Sequence, residues 1–316
     1  MLNRLNIMLG KRGLMVDALF RVKRVEKCGS IYGLMNFLSF ILLVSPLIGN
    51  MLGFPDDAWR LITRLGDETV YFALSALIYI VFNPSLGIQL FIVLATTSWL
   101  NIVLKNFFAM PRPPKDFWKV EAGGYGFPSG HVQTVTSYCF YLLFSYRRLE
   151  LLLLSMILTT YVAFSRVYLG VHYIHDVVGG FIFGAITALA VFKTMKFTSQ
   201  LTWRRETLIL VSYSLVVSLL YVNQYNDAFL KIGGVLLGYS LYPMVNSRFK
   251  VKETSLILKF TVAGCVGGAI YFLLKIIRSL QNPLSIFMSY TLISLLAVLS
   301  PLSYNLLPAK NKKPAS

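Results

Sequence analysis

Between Lys105 and Asp176 the chain gathers three cations, two imidazoles, a serine-glycine turn and a carboxylate in three short patterns. The first joins Lys105 to Arg112-Pro113, the second is Pro128-Ser129-Gly130-His131, and the third joins Ser165-Arg166 to His172 and Asp176. These are groups suited to a phosphate dianion. Arg112 and Arg166 offer planar forks for bidentate contact with phosphate oxygens, and Lys105 adds a point charge. A helix starting at Ser129 would aim unpaired amides and the positive end of its dipole at an anion, with Gly130 leaving the backbone uncovered. His172 and Asp176 are four residues apart and share one face of a helical turn, so the carboxylate can accept from one ring nitrogen and fix the tautomer. The other nitrogen then keeps a lone pair able to attack phosphorus.

In this order the patterns K-x6-R-P, P-S-G-H and S-R-x5-H-x3-D resemble those of the type 2 phosphatidic acid phosphatase superfamily, which includes glucose-6-phosphatases and vanadium haloperoxidases. The resemblance implies His172 as nucleophile and His131 as the acid that protonates the leaving alkoxide and later the base that activates water. Asp176 would orient His172, and Lys105, Arg112, Ser129, Gly130 and Arg166 would hold the phosphate. It also implies a six-helix catalytic core and a phosphatase that works without cofactor or metal. His175, at an unspecified position of the third pattern, reads as a packed or surface histidine. Asp116 and Glu121 share a loop with Lys115 and Lys119 and read as solvated charges, while Gly123, Gly124 and Gly126 are expected to keep that loop flexible.

The elements that must position these residues are membrane helices. The 316 residues are 56% hydrophobic and 14% charged, with a mean hydropathy of +0.65, far from the soluble norm. Apolar runs of about 17 to 25 residues match a hydrocarbon core about 30 Å thick. The formal charge of +17 could suggest nucleic acid, but the cations fall mainly in short loops between apolar runs, where a topology signal belongs. Cys28, Cys139 and Cys265 form no metal-ligand spacing and no disulfide framework.

In chain order, a basic cytosolic or interfacial leader (1–30) shows no cleavage pattern and precedes a first span at 31–54. An amphipathic piece at 59–65 follows, then spans at about 69–82, 86–108, 129–146, 149–168 and 173–192. Residues 31–195 thus form the expected catalytic core, and 196–316 add four further spans at about 206–223, 228–246, 255–277 and 284–306, with a basic tail. The expectation is an all-α polytopic bundle of about ten spans. Gly180 with Gly184, and Gly264 with Gly268, have the spacing that lets membrane helices approach closely. With both termini cytosolic, most loop cations fall inside, and Lys105, Arg112, His131, Arg166 and His172 all fall on the non-cytosolic face. A bacterial cytoplasmic membrane, or the endoplasmic reticulum in a eukaryote, is the expected location.

The function expected is an integral-membrane phosphatase of a lipid phosphomonoester or diphosphate, acting through a phosphohistidine. Phosphatidate, isoprenyl diphosphate, a sphingoid-base phosphate and a lipid A type substrate all fit, with the bilayer as the other partner and no nucleic acid. The alternatives are a phosphatase of a soluble sugar phosphate and a non-catalytic lipid-binding or transport protein.

Overall fold

The computed structural model describes Gly53 and residues 55–306, apart from positions 225, 250, 252–253 and 278–279. The expected leader, the 31–54 span and the basic tail lie outside the described residues. Among those described, the regular elements are helices and no strand is formed. They are α1 (Pro55–Arg64), α2 (Glu68–Leu77, continued by a π-turn Ile78–Phe82), α3 (Pro84–Phe108), α4 (Gly130–Tyr146), α5 (Leu149–Tyr168) and α6 (Ile174–Thr198). After these come α7 (Trp203–Gln224), α8 (Asp227–Tyr239), α9 (Tyr242–Arg248), α10 (Leu256–Ile277) and α11 (Pro283–Leu299).

Seven helices among the described residues are long and apolar enough to cross a membrane, or up to eight if a bent pair counts as one span. That bent pair is α1 with α2, turned by 47° at a break of a few residues. In that set α8 and α9 count as one continuous helix and α11 extends to Asn305, whereas the 17-residue α4 has no such continuation and falls short, although it occupies the expected fourth span. Local sequence explains the boundaries. Asn83 caps α3 by accepting from the Leu86 amide, and Pro84 occupies the first turn, where its missing N–H costs nothing. Asn282 and Pro283 start α11 in the same way. Ala109 and Arg147 end α3 and α4 in the left-handed conformation.

Close helix contact rests on glycine where a side chain would collide. A Cβ on Gly180 would lie 2.7 Å from the Ser129 carbonyl, and one on Gly184 would lie 2.8 Å from that of Gln133, so both residues face α4. Gly264 and Gly268 are different. A Cβ there would meet nothing among the described residues, and the close approaches in this half come from Gly233, Gly234 and Gly238 of α8 instead. Gly234 faces the Phe287 carbonyl of α11, and Gly238 faces Ser294.

The C-terminal helices pack onto the preceding ones. Phe91 of α3 lies 4.6 Å from Tyr239 of α8, and the Tyr79 hydroxyl donates to the Val298 carbonyl of α11 at 2.6 Å. Polar groups within the bundle pair with one another, as groups out of reach of water must. Thr97 donates to Ser137 at 2.8 Å, Asn101 to Gln133 at 2.8 Å, and Ser98 to Glu68 at 3.0 Å. The ends of α3 and α5, the starts of α4 and α6, and the α1–α2 break all come to one end of the bundle, where the three sequence patterns meet.

Candidate active site

His172 lies in the short connection between α5 and α6 and Asp176 in the first turn of α6. Both are buried, with Nδ1 of the imidazole 3.1 Å from Oδ2 of the carboxylate. The same Oδ2 accepts from the Tyr173 amide at 2.9 Å, so the carboxylate is fixed from both sides. Gly126 makes room for it: a Cβ there would come within 3.0 Å of Asp176 Oδ2 and 3.1 Å of the Pro111 carbonyl. Burial holds the His172 pKa well below the ordinary imidazole value. The bond to Asp176 opposes the shift, and the charges of Arg112, Arg166 and Lys105 reinforce it. This environment favours the neutral ring.

Arg112 comes from the α3–α4 loop. Its Nη1 lies 2.9 Å from His172 Nε2 and donates to the Val171 carbonyl at 2.9 Å. Its Nε donates to Gly124 O at 3.0 Å and its Nη2 to Gly123 O at 2.8 Å. Lys105, in the last turn of α3, donates to Tyr125 O at 2.5 Å and has Gly126 O at 3.4 Å. The glycine loop, expected to be merely flexible, is thus bound through its carbonyls to two of the site's cations. Lys119 of the same loop is also held: it pairs with Asp56 at 2.8 Å, and the Tyr168 hydroxyl donates to the same oxygen at 2.8 Å. Asp116 and Glu121 are exposed.

Arg166, near the end of α5, is buried and donates through Nη1 to Thr63 Oγ1 at 2.9 Å, while its Nε has no partner among the described residues. Ser129 is fully buried, and its hydroxyl also lacks one. Its backbone amide, expected to serve an anion, instead donates to the Asp176 carbonyl at 2.9 Å and ties the start of α4 to α6. Gly130 is approached by Asn101, whose Oδ1 would be 3.2 Å from a Cβ there. His131, the second residue of α4, has Nε2 at 2.9 Å from Asp67 Oδ1. His175 is half-exposed, with Nε2 3.1 Å from the second oxygen of Asp176, a proximity that lacks hydrogen-bond alignment. Among the described residues no group of three or more His, Cys, Asp or Glu gathers as a metal cluster.

The structure therefore brings Arg112, His172 and Asp176 into direct contact and sets Lys105, Ser129, Gly130, His131 and Arg166 around them at the same end of the bundle. Sequence reading missed Thr63, Gly66, Asp67 and Asn101. Asn101 donates to the Pro128 carbonyl at 3.2 Å and so steadies the second pattern. The 59–65 segment, read from sequence only as an amphipathic piece, supplies Thr63. It also buries Trp59 and Ile62 in a small cluster with Leu169 and Val171, beside the loop that carries His172.

The class defined by this fold and site is an all-helical protein of membrane-spanning character with a buried, cation-ringed histidine–carboxylate pair. More particularly, residues 86–200 match the model of the PAP2 superfamily. The chain is similar to a probable sphingosine-1-phosphate phosphatase of Dictyostelium discoideum, 29% identical over 185 residues, which are 54% of this chain and 44% of the relative. It is also similar to phosphatidylglycerophosphatase B of Bacillus subtilis (strain 168), 34% identical over 112 residues, 32% of this chain and 53% of the relative. Human sphingosine-1-phosphate phosphatase 2 is 31% identical over 140 residues, 41% of this chain and 34% of the relative. The chain spans about half the length, or less, of the curated relatives it matches. Among solved structures, the first transmembrane PAP2 type phosphatidylglycerolphosphate phosphatase, from Bacillus subtilis, is 24% identical with a TM-score of 0.40, covering 59% of this chain and 94% of that one.

Proposed function

We propose that the protein is an integral-membrane lipid phosphate phosphatase that transfers the phosphoryl group to Nε2 of His172 and then to water. The observation that carries this reading is the buried pair itself: Nδ1 is engaged by Asp176, and Nε2 is directed into the cluster of cations. The carboxylate holds the proton on Nδ1, so the Nε2 lone pair attacks phosphorus as the P–O bond to the lipid alkoxide breaks. His131 gives a proton to that alkoxide. It then takes one from the water whose oxygen displaces His172 and returns the electron pair to Nε2. Arg112, Arg166 and Lys105 stabilise the charge on the equatorial oxygens, usually the largest single contribution to such a reaction. Arg166 Nε and Ser129 Oγ, without a partner among the described residues, are donors a phosphate oxygen would satisfy.

Arg112 has a double duty in this scheme. At rest its Nη1 lies against the very lone pair that must attack. An entering phosphate accepts that donor and thereby releases His172. The phosphatase names of the relatives support lipid phosphates as the substrate class, with sphingoid-base phosphates and phosphatidylglycerophosphate as the first to try. The active site on the non-cytosolic face, and residues 31–195 as the catalytic core, belong to the same proposal.

Phosphate release by the purified protein from a panel of lipid phosphates and diphosphates tests it. Turnover of at least one lipid, abolished by His172→Ala, is expected. Turnover of sugar phosphates alone, or full activity of His172→Ala, would refute it.

A further inference from the structure

Asp67 stands at the N-cap of α2, where a carboxylate ordinarily accepts from the first free amides of its helix. It makes no such bond. Its Oδ1 lies instead 2.9 Å from Nε2 of His131, on a different helix. We propose that Asp67 is the positioning residue of the proposed acid–base group, holding the Nε2 proton of His131 so that Nδ1 exchanges a proton with the leaving oxygen and then with water. This assignment rests on the phosphohistidine reading given above.

Three observations converge on it. Gly66, next to Asp67, is pressed onto the imidazole: a Cβ there would come within 2.7 Å of His131 Cβ and 2.8 Å of Val162 Cγ1. The break between α1 and α2 is therefore seated at the site by backbone contact, and Thr63 on the same segment holds Arg166. The charged groups facing His131 are Arg166 from α5, Arg112 from the α3–α4 loop and Asp67 from the α1–α2 break. Burial first, and then the two guanidiniums, disfavour an imidazolium at His131, and Asp67 is the anion that opposes them. Finally, a pocket of about 280 Å³ lined by Gly66, Asp67, Glu68, Thr69, Gly130 and His131 opens beside the ring, with room for water or part of a leaving group.

With both ring nitrogens protonated, Nδ1–H passes to the alkoxide as the P–O bond breaks, leaving a neutral ring with its proton on Nε2 against Asp67. The attacking water then returns a proton to Nδ1. Each catalytic imidazole thus has its own carboxylate: Asp176 from the same turn for the nucleophile, and Asp67 from across the bundle for the acid.

The test compares purified full-length Asp67→Asn, Asp67→Glu and His131→Ala on an alkyl phosphate and on p-nitrophenyl phosphate, whose phenolate departs without a proton. Single-turnover rates and pH–rate profiles are read, with thermal unfolding to verify folding. Asp67→Asn is expected to slow the alkyl substrate about 10- to 100-fold, within the range of general acid catalysis, with KM nearly unchanged. Aryl phosphoenzyme formation should stay within about threefold, the alkaline limb should fall at lower pH, and Asp67→Glu should recover part of the rate. An unaltered alkyl rate, or equal alkyl and aryl losses with an unmoved alkaline limb, would overturn the role of Asp67. If His131→Ala is slowed on the alkyl substrate while Asp67→Asn is not, only this inference falls. If His131→Ala retains the alkyl rate, the acid–base assignment beneath it falls as well.

Discussion

Arg112 is the residue whose replacement should separate two properties that usually move together, the reactivity of the nucleophile and the rate of turnover. In the resting protein its Nη1 is 2.9 Å from His172 Nε2 and also donates to the Val171 carbonyl, while Nε and Nη2 hold the Gly124 and Gly123 carbonyls. Arg112→Ala removes a charged donor from the lone pair and a positive charge from beside a buried ring. His172 should then react faster with diethyl pyrocarbonate, read peptide by peptide by mass spectrometry to distinguish it from His131 and His175. Turnover should move the other way. Two charge-assisted bonds to phosphate are worth about 3 to 6 kcal/mol together. At about 1.36 kcal/mol per decade, that is a loss of about 10²- to 10⁴-fold in kcat/KM. Arg112→Lys should fall between the two, because it keeps the charge and loses the fork. Faster turnover in Arg112→Ala, or a His172 peptide no more reactive than in the parent, would refute the account of a nucleophile covered at rest and uncovered by substrate.

Three further outcomes are expected. Gly126→Ala brings a methyl group within about 3.0 Å of Asp176 Oδ2 and should reduce kcat without loss of folding; unchanged kinetics would show that the loop is not seated on the carboxylate. The depressed pKa of His172 means that the folded state binds fewer protons than the unfolded chain below the free imidazole value of about 6.5. Its share of stability is thus complete above about pH 6.5 and is lost as pH falls toward the folded pKa. Thermal unfolding in detergent from pH 7 to 4 should accordingly show a shallower acid loss for His172→Gln than for the parent, and parallel curves would contradict the shift. A cysteine at position 120 should react with an impermeant thiol reagent in intact cells, whereas protection there would place the site on the cytosolic face.

The histidine–carboxylate half of the candidate site was legible because its residues are local in sequence. His172 and Asp176 are one helical turn apart, and Lys105, Ser129, Arg166 and Asp176 sit at helix ends, where hydropathy changes abruptly. What escaped notice acts across the bundle. Asp67 reaches His131 and Thr63 reaches Arg166 only because α1 and α2 bend by 47°, and no spacing rule links a break in one helix to the start of another. The same limit applied to the glycines. Small-residue spacing was present at both Gly180/Gly184 and Gly264/Gly268, yet only the first pair faces a neighbouring helix among the described residues, since spacing says nothing about which side is covered. The loop glycines were misread for a related reason. Composition suggests freedom, but backbone carbonyls carry no sequence signal, and those of residues 123–126 hold Arg112 and Lys105.

The central claim is covalent transfer to His172, and trapping the intermediate tests it most directly. Purified protein is mixed with a ³²P-labelled lipid phosphate, quenched in alkali to preserve a phosphohistidine, digested and mapped. The account predicts acid-labile, alkali-stable label on the peptide containing His172. The label should be absent in His172→Ala and should accumulate in His131→Ala when an aryl phosphate replaces the lipid, because hydrolysis then lacks its base. Full turnover without label on that peptide, or label on a different residue, would contradict it.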